Sequence, residues 1–148
     1  MTTLLKNVLI VDGTGWIPYW GDILLEDGKV KLVSSGENIL IREEPTYDKI
    51  DNFKKDSAPG GGSYPEAFAF AMVGEGPFTK ADYQKFVDKI NADTKGDTYK
   101  DFAVAYRKQT GFGVGQREYL VAGIPANIIA VDKNTKKIVK AYADGKEI

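Results

Sequence analysis

The sequence predicts an α+β fold, an antiparallel β meander or sandwich built from both chain ends, with two amphipathic helices. Three observations lead to this prediction. Short apolar runs separated by turn residues fill residues 4–50, apolar positions recur at helical spacing after Thr79, and strand-like runs return near the C-terminus. The 148 residues divide into an N-terminal meander (1–50), a Gly/Pro-rich connection (51–65) and an α+β segment (66–148) that completes the same or an adjoining core.

The N-terminal meander is predicted from its turns. The run "LLKNVLIV" ends at Asp12-Gly13, "GDILLEDG" ends at Asp27-Gly28, and "KVKLVSSG" alternates lysines with apolar residues. Asp-Gly is a hairpin signal because glycine readily adopts the positive φ that tight turns need. The run "NILIREEP", residues 38–45, is expected to form a fourth strand that ends at its proline.

The segment "DNFKKDSAPGGGSYP", residues 51–65, has a different composition. Its glycines and prolines are too flexible or too restrictive for the interior of a helix or strand, so it is predicted to connect two layers. It lacks the Lys-Ser/Thr pair and the helix start of a phosphate-binding loop. The run "AFAFAMV" after it is expected to be a short strand.

Two helices are predicted by the spacing of apolar residues. The first starts at Thr79, which with Asp82 resembles a capping box. The second is expected to begin at Asp97 or Thr98 and to stop at Gly111. The residues predicted to face the core are Tyr83, Phe86, Val87 and Ile90 in the first helix and Tyr99, Phe102, Ala103 and Tyr106 in the second.

The last third of the chain is predicted to return to strands. The runs "REYLVAG" and "ANIIAVD" lie on either side of Ile124-Pro125, and "KKIVKAYAD" follows a turn at residues 132–135. These strands are expected to complete the sheet or sandwich that the N-terminal meander begins.

Composition narrows the classes of function. The chain has neither cysteine nor histidine, so the commonest zinc ligands, thiolate nucleophiles and imidazole bases are missing. The net charge of -1 gives no overall basic field to attract nucleic acid or an anionic membrane. No apolar run approaches the roughly 20 residues of a membrane helix. We therefore expect no catalytic residues, no metal or other cofactor, and neither a nucleic-acid nor a membrane partner.

The N-terminal sequence has no features of a secretory signal peptide, so we expect a cytoplasmic protein or one that belongs to a soluble assembly.

Three motifs have simpler interpretations than a functional site. The segment "GFGVGQ" has Gln116 where a dinucleotide-binding loop has its third glycine, and it follows a helix rather than a strand. Glu43 and Glu44 are neighbours in a predicted strand and therefore point to opposite faces. The lysines and aromatic residues of 95–108 resemble a surface for single-stranded nucleic acid, but helical spacing separates the rings from most of the cations.

The segment "DGTGWIPYWGD", residues 12–22, contains both tryptophans of the chain. We predict that Trp16, Pro18, Tyr19 and Trp20 bind a partner, because aromatic residues contribute strongly to interfaces. In an extended segment, Trp16 and Trp20 would point to one face. The alternative is a hairpin whose aromatic residues close one end of a small core.

The two chain ends resemble a known family. Residues 4–33, "LLKNVLIVDGTGWIPYWGDILLEDGKVKLV", are similar to the opening of amidohydrolase-superfamily enzymes of the D-aminoacylase and dihydroorotase type. Residues 123–148, "GIPANIIAVDKNTKKIVKAYADGKEI", are similar to their closing segment, and "SAPGGGSYPEA" resembles the segment that leads into their barrel. The resemblance implies a small β-sandwich formed by the two ends, which in that family lies beside a catalytic (β/α)₈ barrel.

The resemblance does not imply the family's reaction. The family's metal site begins with a His-x-His pair directly after the third segment, where this chain has Gly61, Gly62, Ser63 and Tyr64. A barrel also needs about 250 residues, more than the whole chain contains. No functional residue can be carried over. The chain is either a sandwich without its enzyme or a turn-rich β sequence that resembles one by convergence.

We expect a non-catalytic structural or protein-interaction protein that self-assembles, such as a coat, shell or filament component, or a binding module. The expected partner is a protein, foremost other copies of the chain in a homo-oligomer. The alternatives are a degenerate hydrolase-derived domain that binds a small molecule, and a profilin-like partner-binding domain in residues 64–148.

Overall fold

The structure, a computed structural model, describes residues 1–35, 47–56, 63–111 and 120–148. These residues form ten strands and two helices. The elements are β1 (Thr2–Ile10), β2 (Tyr19–Glu26), β3 (Lys29–Ser35), β4 (Lys49–Asn52), β5 (Lys54–Asp56), β6 (Ser63–Pro65), β7 (Ala67–Ala71), α1 (Lys80–Asp93), α2 (Tyr99–Thr110), β8 (Ile128–Asp132), β9 (Ile138–Ala143) and β10 (Lys146–Glu147). The strand predicted at 38–45, the glycine-rich part of the connection at 57–62, and "GFGVGQ" beyond Gly111 lie outside the described residues.

One large mixed sheet combines strands from both ends of the chain. Its order is β10-β9-β8-β7-β1-β2-β3, and β4 also pairs with β1. The β1–β2–β3 meander is antiparallel, as are the pairings among β7, β8, β9 and β10. The central strand β1 pairs in parallel with β4 and with β7. The predicted α+β fold is confirmed, and these two parallel pairings are an addition to it.

A bulge in β1 sets the register of the centre of the sheet. The pairing with β2 shifts between Leu5 and Val8, so that Lys6 and Asn7 both lie opposite Asp22. Asn7 has a φ of 60°, in the left-handed region. Its backbone N–H donates a hydrogen bond of 2.8 Å to Oδ1 of the buried Asp22. The carboxylate thus replaces the ladder partner that this N–H loses at the bulge.

The bulge changes which residues of β1 face each side of the sheet. Leu5, Val8 and Ile10 belong to one core, whereas Leu9 and Val11 belong to the other. Regular alternation would have placed Leu9 and Val11 on the same side as Leu5. Both faces of the strand are buried, which explains its nearly continuous apolar sequence.

The two helices cover one face of the sheet, as their apolar spacing predicts. Both begin with a capping box, the predicted one at Thr79 and Asp82 and a second at Thr98 and Asp101. Gly111 ends α2 in a left-handed conformation. The core beneath the helices is built mainly from rings of β7, α1 and α2, namely Phe68, Phe70, Tyr83, Phe86, Phe102 and Tyr106.

The second core lies on the opposite face of the sheet. On that side, the turn before β8 is hydrogen-bonded to β3. The N–H of Val30 donates to the carbonyl oxygen of Ile124 at 2.9 Å, and the N–H of Gly123 donates to that of Val30 at 2.8 Å. The prediction of a strand at "REYLVAG" is wrong for residues 120–123, the part of this run that the structure describes, because they form no strand. Gly123 turns the chain at a φ of 100°, and Pro125 has no N–H to extend a ladder.

The turn predictions have different outcomes. Asp27-Gly28 forms the tight turn between β2 and β3, with positive φ at both residues. Asp12-Gly13 does not form a hairpin turn, because residues 11–18 make an eight-residue loop between β1 and β2. Parts of the predicted connection are strands, since β4, β5 and β6 lie between residues 49 and 65.

The hydrogen bond between Asp22 and Asn7 gives a first prediction. Asp22→Ala leaves the buried N–H of Asn7 without an acceptor, so we expect the free energy of unfolding to fall by about 1–3 kcal/mol. Asp22→Asn keeps an acceptor oxygen at the same position and should cost less. Urea unfolding of both variants at neutral pH measures the difference. Equal stability of Asp22→Ala and wild type would contradict this role of the bulge.

Candidate protein-interaction site

The loop of residues 11–18 is held in shape by short-range hydrogen bonds. Oδ1 of Asp12 accepts from the N–H of Thr14 at 3.0 Å and from its hydroxyl at 2.6 Å. Oγ1 of Thr14 in turn accepts from the N–H of Trp16 at 3.2 Å. Gly13 and Gly15 supply the positive φ values, 93° and 85°, that these turns require. The sequence Asp-Gly-Thr-Gly therefore fixes the backbone that leads to Trp16.

The scaffold anchors this loop at three points. The N–H of Val11 donates to the carbonyl oxygen of Ala69 on β7 at 2.9 Å, and the N–H of Leu120 donates to that of Asp12 at 3.3 Å. The side chain of Arg107 on α2 covers Gly15, where an added Cβ would lie 3.0 Å from its Cδ. The loop thus rests on the C-terminal end of α2.

The four residues predicted to bind a partner have different surroundings. Trp16 is 73% exposed, and its neighbour Ile17, which was not among the predicted residues, is 60% exposed. Pro18 is buried, and Tyr19 packs against the second core, on the face of the sheet opposite the helices. Trp16 lies in the loop before β2 begins at Tyr19, so the expected common face of Trp16 and Trp20 does not form. We call Trp16 and Ile17 the exposed pair.

Trp20 is half-buried in a network beside the bulge. Its Nε1 donates to Oδ1 of Asn7 at 2.9 Å, and Nδ2 of Asn7 donates to Oδ1 of Asn52 at 3.1 Å. The ring of Tyr64 makes an edge contact with the indole at 5.6 Å between centroids, and Nζ of Lys54 lies 5.0 Å from the indole. Trp20 therefore stabilises the sheet. Of the four residues predicted to bind a partner, Trp16 is the one whose side chain is mostly exposed.

A second cluster of functional groups surrounds Asp51 on β4. Oδ1 of Asp51 lies 2.8 Å from Nζ of Lys140, and Oδ2 accepts from the hydroxyl of Tyr142 at 2.5 Å. Lys49 lies 3.6 Å from Oδ2 and also pairs with Glu147. Burial alone would raise the pKa of Asp51, but the hydrogen bonds from Lys140 and Tyr142 and the nearby positive charges lower it overall.

This cluster has the properties of a structural ion pair. A carboxylate with a lowered pKa is a weak base, and burial together with the Asp51 hydrogen bond raises the pKa of Tyr142. The cleft beside the cluster has a volume of about 140 Å³, well below the roughly 300–1,000 Å³ of typical small-molecule sites. Its lining residues are Asp51, Asn52, Phe53, Glu66, Ala67, Asp132, Val139 and Lys140.

The acidic side chains of the described residues are too scattered for a metal site. Across residues 1–35, 47–56, 63–111 and 120–148, no three of them lie close enough together to hold a metal ion. Neither α1 nor α2, the helices of the described residues, is long and apolar enough to cross a membrane.

Comparisons with known proteins found no matching family model, no matching curated protein and no matching solved structure. The resemblance of the chain ends to amidohydrolase-superfamily enzymes therefore stays a prediction.

The Asp51 cluster predicts a pH dependence of stability. Since the pKa of Asp51 is lower in the folded chain than in the unfolded chain, the ionised carboxylate stabilises the fold above about pH 4. This contribution is lost as the pH falls through the lower, folded value. We expect Asp51→Asn to reduce the free energy of unfolding by about 1–3 kcal/mol at pH 7, and this difference to shrink steadily below pH 4.

Urea unfolding of wild type and variant between pH 3 and pH 7 measures this difference. Asp88→Asn, an exposed change on α1, is the matched control and should have little effect. A difference between wild type and Asp51→Asn that grows as the pH falls would have the wrong sign for the proposed pairing.

Proposed function

We propose that the protein is a non-catalytic interaction module that self-associates through the exposed pair. The observation that carries the proposal is the exposure of Trp16 and Ile17 in a loop whose backbone is fixed by hydrogen bonds. Tryptophan is enriched at the centres of protein interfaces, where its large apolar surface is removed from water.

The fixed loop makes such an interface favourable. Association is opposed by the loss of conformational freedom in the groups that become ordered. Asp12, Thr14 and Arg107 already restrict the loop in the single chain, so little backbone freedom remains to be lost. The preorganised backbone therefore lowers the ordering cost of an interface built on Trp16.

The exposed pair contributes little to the fold of a single chain. Substitutions at exposed positions without special backbone roles usually change stability by less than about 0.5 kcal/mol. The structure nevertheless positions Trp16 through two linked turns and the contact of Gly15 with α2. This combination of a well-positioned and solvent-exposed tryptophan supports a role outside the single chain.

The proposed partner is another copy of the chain. A net charge of -1 produces little long-range repulsion between copies. Because the sequence contains no cysteine, disulfide bonds cannot link the copies. We therefore expect a reversible oligomer whose mass depends on protein concentration.

Variants of the exposed pair test the proposal. We expect Trp16→Ala, and the double variant with Ile17→Ala, to lower the oligomer mass while the free energy of unfolding of the dissociated chain changes by less than about 0.5 kcal/mol. Leu32→Ala is the matched control, because Leu32 is an apolar residue on β3 with 42% exposure. Light scattering across a concentration series and urea unfolding at low concentration give the two readouts.

Two results would contradict the proposal. A wild-type mass that stays at that of one chain, 16.3 kDa, across the concentration series would exclude self-association in solution. Equal loss of mass in Leu32→Ala and Trp16→Ala would show that association does not depend on the exposed pair.

A further inference from the structure

We infer that the exposed pair of one copy binds an aromatic socket on a second copy, and that the reciprocal contact closes a two-fold dimer. This inference rests on the proposed self-association and identifies the surface that receives Trp16. The socket has a volume of about 330 Å³. Its lining residues are Met72, Pro77, Phe78, Asp82, Lys85, Phe86 and Lys89.

The walls of the socket are held by the core beneath the helices. The ring of Phe78 lies 5.7 Å from that of Tyr83, and the ring of Phe86 lies 6.3 Å from that of Phe70 and 6.1 Å from that of Tyr106. Tyr106 is fixed in turn by a 2.7 Å hydrogen bond from its hydroxyl to the carbonyl oxygen of Ala71. The socket is therefore a formed surface of the single chain.

The exposed pair and the socket lie at the same end of the molecule. Strands β1 and β7 run parallel, with Leu9 paired to Phe68 and Ile10 to Ala69. The loop of residues 11–18 and the segment of residues 72–78 therefore leave the sheet in the same direction. On α2, Arg107 touches the loop and the adjacent Tyr106 touches the socket residue Phe86.

This placement favours a closed dimer over an open chain of copies. In a two-fold interface one patch meets its own copy, so each contact occurs twice. A protruding residue and its socket on one end of the molecule can satisfy each other reciprocally. If they lay on opposite ends, the contact would be head-to-tail and would lead to rings or filaments.

The chemistry of the socket suits an indole ring. Its lining combines two aromatic rings, a proline and a methionine thioether, and the ammonium groups of Lys85 and Lys89 can lie over the electron-rich face of tryptophan. Its volume lies at the lower end of the roughly 300–1,000 Å³ of small-molecule pockets.

The expected interface is small. Because each copy inserts only one loop into the other, we expect a total buried area below about 1,200 Å². Interfaces of this size are typical of transient complexes. We therefore expect a dimer that forms in the micromolar range and dissociates on dilution.

Cross-linking between two different variants tests the pairing. Because the sequence contains no cysteine, introduced cysteines are the only thiols. Ile17→Cys and Lys89→Cys are prepared separately, distinguished by isotope labelling, mixed at about 100 μM and treated with a short bismaleimide. We expect the mixed 17–89 product to exceed each of the 17–17 and 89–89 products about tenfold, since the dimer raises the effective concentration of the matched thiols.

Two further mixtures are controls. Val139→Cys replaces Lys89→Cys in the first, because Val139 lies on β9 beside a different groove, and it should give little product with Ile17→Cys. Adding Trp16→Ala to Ile17→Cys should reduce the 17–89 product to the level of the Val139 control.

The other outcomes distinguish the two proposals. A dominant 17–17 product would show that the exposed pairs pack against each other, and a dominant 17–139 product would show head-to-tail binding. Either result overturns the socket but leaves self-association through Trp16 in place. A monomeric wild type at the cross-linking concentration, with no product above the controls, would overturn both.

Discussion

The hydrogen bond between the buried carboxylate of Asp22 and the N–H of Asn7 controls the arrangement around β1, the central strand of the sheet. It stabilises the bulge that divides β1 into a first half that pairs with β4 and a second half that pairs with β7. It also reverses which side of the sheet the later residues of β1 face, so that Leu9 and Val11 reach the core beneath the helices. Regular alternation would instead send these residues to the other side, and the helices would lose part of the surface they pack against.

The same bulge separates the roles of the two tryptophans. The side chain of Asn7 at the bulge accepts the indole N–H of Trp20 and keeps that ring on the sheet. The strand then continues to Ile10, and the loop after it is anchored on β7 and α2 before it presents Trp16 to solvent. One tryptophan therefore stabilises the fold, and the other is positioned by it.

Local signals in the sequence predicted the local structure well. The capping box at Thr79, the apolar face of α1 and the Asp27-Gly28 turn are properties of neighbouring residues, and the structure confirms them. Bulges are less predictable, because one extra residue reverses which side of the sheet every later residue of the strand faces. In β3, a register shift beside Lys31 turns Leu32 outward and Val33 towards the core, against the simple alternation. The contacts of Asp51 with Lys140 and Tyr142 join residues about 90 positions apart in the sequence, and no local sequence pattern predicts them. For the candidate site, the sequence singled out the aromatic segment, but exposure differs from residue to residue within it. Trp16 and Ile17 are exposed, Pro18 is buried and Trp20 is half-buried, and the sequence alone did not predict this division.

Amide hydrogen exchange in dilute and concentrated protein measures most directly whether a preformed loop binds a second copy. In dilute protein we predict that the N–H of Trp16, which donates to Thr14, exchanges more slowly than in an unstructured peptide. In concentrated protein we predict further slowing in the loop of residues 11–18 and in the segment of residues 72–78, with no change in β10. Unprotected exchange of the loop at both concentrations would contradict both its preorganisation and its role in self-association.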